Sequence, residues 1–314
     1  MLALRSEPTE MAYPDTAALT RVRGRVRAAY PALFGAVEGV LKFADSALDA
    51  WKFRRKPTPY ELALLAHLAR GTRTTHAVVQ LAELLFGSVA LTATRVAFET
   101  MVSAYWLSLD PDTRTQQFDR FGVLEWAEFG VSLTKLRWLR PDEVPARFRD
   151  PARLQKLRDE FPSVRLGWTQ VPPPKLIKGI AKTWPKSAAA DLRNFARVAG
   201  TLGSRHAHVG CADTADHVSV EDGRLRIALG PHKADQYWMS ASLKVAAWSY
   251  GQLFDLVAEH FHLADIEHWR QHFTRLLARC AVVTKEQARG VKPDDPCPCG
   301  YGLKFKRCHR DALS

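Results

Sequence analysis

The residues of this chain best suited to chemistry stand near its C-terminus. Cys297, Cys299, Cys308 and His309 fall within the run Pro296-Cys297-Pro298-Cys299-Gly300-Tyr301-Gly302-Leu303-Lys304-Phe305-Lys306-Arg307-Cys308-His309. Zn²⁺ takes four nitrogen or sulfur ligands in a tetrahedron. Cys297 and Cys299, one residue apart, can supply two thiolates from a single bend, and Gly300 and Gly302 permit the tight backbone that follows. Its amides can face the sulfurs and moderate their charge. Cys308 and His309 then close the shell. Zinc held by four protein ligands has no open position for a substrate, so the expected site is structural. A unit this small has almost no core, and metal binding supplies its folding energy. Lys304, Lys306 and Arg307 make it basic, suited to an acidic protein face or to RNA. The other two cysteines, Cys211 and Cys280, read as small buried side chains.

This segment resembles the SEC-C motif, best known at the C-terminus of the SecA translocation ATPase, and it has the rarer Cys-His ending. The resemblance covers about the last twenty residues. Tyr301 and Leu303 depart from residues usually small or basic there, and neither is a ligand. In SecA-type tails the motif implies docking to a chaperone or the ribosome. For this chain the expected partner is a protein or a nucleic acid met through the basic tail.

Further chemistry is possible in the body. Between Ser88 and Leu109 the chain is apolar nearly all round, as a central buried helix should be. Thr92, Arg95, Glu99 and Ser103 nevertheless share one stripe of it. Arg95 and Glu99 are one turn apart and can pair, and a buried charge needs a partner, so the stripe predicts a polar pocket or polar contact. A second concentration is Ser204-Arg205-His206-Ala207-His208-Val209-Gly210. Arg95 could bind an anion while His208 acts as acid, base or hydrogen-bond donor. The competing reading is a buried polar network that fixes helix packing. Arg70 and His76 match the Arg-x4–6-His spacing of HEPN ribonucleases, although six positions along an ideal helix do not align two side chains. His268 and His272, one turn apart, could bind a metal but lack the Glu of the metalloprotease pattern.

The Arg/Glu helix, the Ser/His segment after it, a small strand element and a long helix are together similar to a family of helical bacterial proteins of unknown function, some fused to SEC-C tails. The resemblance spans roughly residues 30–265 and implies Arg95, Glu99, Ser204 and His208 as matching polar residues. It implies no activity.

The elements that must position these groups are mostly helices. Apolar spacing predicts helix from Thr16 to Lys52, broken near Pro31. Thr58-Pro59-Tyr60-Glu61 offers an N-cap, a proline in the first turn and a Glu three on, opening a helix toward Gly87. Helices are expected at Ser88–Leu109 and Asp112–Leu139, and a shorter one from Asp150-Pro151. Residues 162–185, with Pro172-Pro173-Pro174, read as an extended loop. Helix resumes from Ser187 to Leu202. Val218 and Val220, then Asp222-Gly223, then Leu225, Ile227 and Leu229 predict one hairpin near 217–229. Helices over Lys233–His262 and Asp265–Val283 follow. The expected fold is mainly α: a multi-helix bundle over 1–283 with one small β-hairpin, a linker over 284–296 and a zinc knuckle over 297–311.

Composition bounds the rest. Of 314 residues, 46% are hydrophobic and 25% charged, as in a globular chain. The N-terminal residues hold no apolar core long enough for a signal peptide, and no run of about eighteen uncharged apolar residues exists, which predicts a cytoplasmic protein without a membrane span. Five cysteines, an odd number, argue against a disulfide framework. The net charge of +12 suits an acidic or phosphate-bearing partner, or basic residues spread over a solvated surface. Two functions are compatible with all this: a zinc-tailed interaction protein, or a HEPN-like ribonuclease or other phosphate-directed enzyme using Arg and His of the body. Either is compatible with a role in stress or phage defence.

Overall fold

The computed structural model describes residues 16–52, 55–202, 218–221, 224–227, 233–280, 288–295 and 304–307. These are mainly helical. The ten α-helices among them are α1 (Thr16–Ala29), α2 (Pro31–Asp49), α3 (Pro59–Glu83), α4 (Gly87–Ser108), α5 (Pro111–Lys135), α6 (Pro151–Glu160), α7 (Pro173–Ala181), α8 (Lys186–Arg197), α9 (Lys233–His260) and α10 (Ile266–Cys280). None of the described helices is long and apolar enough to cross a membrane.

Helix starts follow the chemistry of their first residues. Pro31 and Pro59 each occupy the first turn, where the missing N–H costs no hydrogen bond. At α3 the Thr58 hydroxyl accepts from the Glu61 N–H at 3.2 Å, and the Thr58 N–H donates to the Glu61 carboxylate at 2.7 Å. Arg55 donates to the same carboxylate at 2.6 and 2.9 Å. Together these bonds hold Glu61 down to about 2, with the Arg55 guanidinium the largest cause.

The same proline rule corrects the expectation of a long extended loop over 162–185. Residues 164–169 form a 3-10 turn, and Pro173 opens α7 after Pro172 as its cap. Leu176 and Ile180, four apart, are buried, and Trp106 of α4 lies directly against Gly179 of α7. A triple proline marks a helix start here because the residues after it present an apolar face.

At the centre of the bundle lies α9. Met239, Leu243, Ala246, Tyr250, Phe254 and Val257 are buried, and α2, α3, α4 and α10 all pack on this helix. The sequence pointed to the 88–109 helix for that role. That segment is α4, which packs against α3, α5, α7 and α9 and shares the centre with α9, yet leaves Glu99 exposed. At Gly251 the α9 backbone meets the Phe273 ring of α10, and Trp269 is fully buried among Phe43, Phe254 and Phe273 at centroid distances of 5.0, 5.0 and 5.1 Å. Arg270 locks the same two helices by donating to Asp255 at 2.9 and 3.1 Å and to Glu259 at 2.8 Å.

β1 (Val218–Glu221) and β2 (Arg224–Ile227) pair antiparallel, with Val218 opposite Ile227 and Val220 opposite Leu225. Residues 222–223 lie outside the described residues, as do most of 203–232 and the expected zinc ligands.

Candidate functional site

A buried polar chain runs between α3, α4 and the 164–169 turn. The His67 ring is buried; its Nδ1–H donates to the Ala63 carbonyl at 2.7 Å. That carbonyl can only accept, so Nε2 carries the lone pair and takes the Ser103 hydroxyl at 2.9 Å. Ser103 Oγ in turn accepts from the Trp168 indole N–H at 3.1 Å. Phe118 packs against both His67 and Trp168, at 5.1 and 5.5 Å. Burial pushes the His67 pKa down, and the nearby Arg70 charge adds to this. A serine donating to a histidine is the geometry of an activated nucleophile. Here, however, the indole occupies the hydroxyl's acceptor side and a backbone carbonyl fixes the ring. The chain is saturated, and its effect is to lock α3, α4 and the turn together.

Ser103 is the inner end of the α4 stripe; the outer end behaves differently. Arg95 and Glu99 do pair, Nε to Oε1 at 2.7 Å, but their side chains are 32% and 58% exposed. The expected buried pair is therefore a surface pair. Both side chains reach solvent, which screens the charges. Arg70 and His76 are both exposed on α3 and part company: Arg70 acts on His67 and on Glu125 of α5, while His76 lines a cleft between α1, α2 and α3. Six residues at about 100° each leave them on different faces.

That cleft, about 460 Å³, is also lined by Arg23, Arg27, Glu38, Lys42 and Glu83. Arg27 donates to Glu38 at 2.6 Å and to Glu83 at 2.7 Å, and Arg23 lies 3.6 Å from Glu83. Hydrogen bonding to Glu38 raises the Arg27 pKa further. An anion entering here must compete with two carboxylates already in place.

His268 and His272 stack at 6.4 Å and lie against Phe43 at 6.3 and 6.2 Å, which makes them packing residues. Cys280 is buried, with its thiol pushed up to about 11 by burial. Among the described residues no three His, Cys, Asp or Glu side chains gather as a metal site. Ser204, His206, His208 and Cys211 lie outside the described residues, and so do Cys297, Cys299, Cys308 and His309. Of the basic tail residues, Lys304 and Lys306 both bridge to Asp294, at 3.0 and 2.8 Å, so part of the tail's charge is neutralised internally; Arg307 ends the 3-10 turn beside them.

A groove of about 440 Å³ escaped the sequence reading. It lies between the second half of α5 and residues 141–148. Trp126, Phe129 and Leu133 line one wall, and Val144, Pro145 and Phe148 the other. The signal was present in the sequence: Trp126, Phe129, Leu133 and Leu136 follow helical spacing, a second apolar stripe on a helix whose Phe121 and Leu124 already serve the core. No family model, curated protein or solved structure matches the chain.

Proposed function

We propose that this chain is a zinc-binding interaction protein, a helical body carrying a SEC-C knuckle that docks a protein or nucleic-acid partner. The observation that supports it best is a pair of backbone bonds in the tail. The Phe305 N–H donates to the Asp295 carbonyl at 2.9 Å, and the Lys306 N–H donates to the Pro293 carbonyl at 2.8 Å. They close the chain on itself, so residues just before Cys297 lie against residues just before Cys308. Phe305 is buried in this turn. Three thiolates and one imidazole form a donor set suited to Zn²⁺, which would supply folding energy there and leave no coordination position open. On this reading the residues from about Lys292 would belong with the tail unit.

Metal analysis of the purified protein tests this reading. About one zinc per chain is expected, lost in a chain ending at Val291 and in the Cys297→Ser, Cys299→Ser double variant. Equal zinc in all three proteins would sink it. Partner capture should disappear with the same truncation.

The alternative is a phosphate-directed enzyme such as a ribonuclease, favoured by His76 sharing its cleft with Arg23, Arg27 and Lys42. Cleavage of bulk RNA that His76→Ala abolishes at unchanged melting temperature would establish that alternative.

A further inference from the structure

We propose that the groove between α5 and residues 141–148 is a docking site for an acidic protein segment bearing an apolar anchor. Nine large apolar side chains are exposed among the described residues; Trp126, Phe129 and Leu136 share one face of α5 and its C-cap, and Trp138 follows two residues on. Single exposed apolar residues are ordinary, but a contiguous patch marks a contact surface. Trp126 is 59% exposed, Phe129 53% and Trp138 75%. Desolvated in a complex, such rings are the residues that dominate binding energy.

The groove is built in advance. The last turn of α5 ends with Arg137 in a left-handed conformation, φ 59°, and the Trp138 N–H returns to the Leu133 carbonyl at 3.0 Å. The chain is thereby folded back, and Val144 settles on Gly130, where even a methyl group would meet the valine at 3.2 Å. Phe148 then lies nearly parallel to Trp126, 19° between planes and 6.4 Å between centroids. A preformed apolar slot needs little ordering on binding.

Charge selects the partner. Glu128 is taken by Arg158 at 2.7 Å, and Asp142 and Glu143 are taken by Arg140 at 3.8 and 3.3 Å. Lys135, Arg137 and Arg147 are exposed and have no carboxylate partner among the described residues; Arg147 lies over the Phe148 ring at 4.6 Å. Residues 135–147 thus carry Lys135, Arg137, Arg140 and Arg147 against Asp142 and Glu143, a net positive surround to an apolar interior, which fits acidic residues flanking a Leu or Phe anchor. A nucleic acid fits less well. Leu133, Leu139, Val144 and Pro145 offer base edges no hydrogen bonds. A second copy fits less well too, because a two-fold contact through this face would bring the cationic rims together.

The test uses the full-length protein and three fluorescent probes read by anisotropy. They are a peptide of about fifteen residues with Leu and Phe at helical spacing among Asp and Glu, its analogue with Lys replacing the acids, and an oligouridine of about the same length. The acidic peptide is expected to bind, more weakly at about 500 mM than at about 50 mM salt, and the Lys analogue is not. Trp126→Ala with Phe129→Ala, both at exposed positions, and Arg137→Glu with Arg147→Glu should each weaken binding by about tenfold or more at unchanged circular dichroism. Absence of binding, or binding indifferent to both double variants, would overturn the proposal. So would oligouridine binding that those variants abolish, or a dimer in sedimentation that the aromatic variant dissolves.

Discussion

At His67 a single protonation couples a ring to three elements. The fold holds the imidazole neutral, because burial disfavours its charge and Nε2 must accept from Ser103. Its folded pKa is thus below the unfolded value of about 6.5. The stabilisation is complete above that value and is lost as pH falls through it, since the unfolded chain then binds the proton more readily. Melting temperature should therefore fall more steeply between about pH 7.5 and pH 5 in wild type than in His67→Gln, which cannot titrate. Parallel profiles would mean that the fold leaves the His67 pKa where the unfolded chain has it. Glu99 is the contrasting case. Its pair with Arg95 is exposed and one helical turn long, so Glu99→Ala should cost under about 0.5 kcal/mol by urea unfolding. A loss of about 3 kcal/mol or more would require the buried pair that the apolar flanks of α4 suggested.

Elements here are decided at their ends and at their closest approaches. Thr58, Pro59 and Glu61 start α3 by chemistry visible in four consecutive residues. Pro172 to Pro174 point to a loop on the rule that proline breaks helices, and the buried Leu176 and Ile180 decide for a helix start. Close approach governs α9 against α10. A methyl group on Gly251 would come within 2.2 Å of the Phe273 ring, and that ring is already stacked on Trp269. Gly251→Ala should destabilise by about 1–3 kcal/mol through overpacking, despite the better helix propensity of alanine. Phe273→Leu in the same chain should recover part of the loss. Thermal melts of the three variants check this, and a stabilised Gly251→Ala would show that the two helices separate at no cost.

For the molecule as a whole, the proposed zinc tail predicts that body and tail are stabilised independently. The body rests on burial around α9, so a chain ending at Val291 should melt within about 2 °C of the full-length protein, with or without chelator. A large drop on truncation would mean that the tail completes the core. What the sequence determined unaided was local: helix periods, proline and capping starts, and the spacing of Cys297, Cys299, Cys308 and His309 on which the zinc proposal rests, all encoded within a few neighbouring residues. Tertiary structure alone decided which elements α4 and α9 pack against, because an apolar helix surface does not name its neighbours. It also decided that Arg95 and Glu99 face water, that Ser103 meets His67 from 36 positions away, and that the stripe of Trp126 and Phe129 is left uncovered. Each of these depends on which surface another element covers, and residues distant in the chain supply that cover.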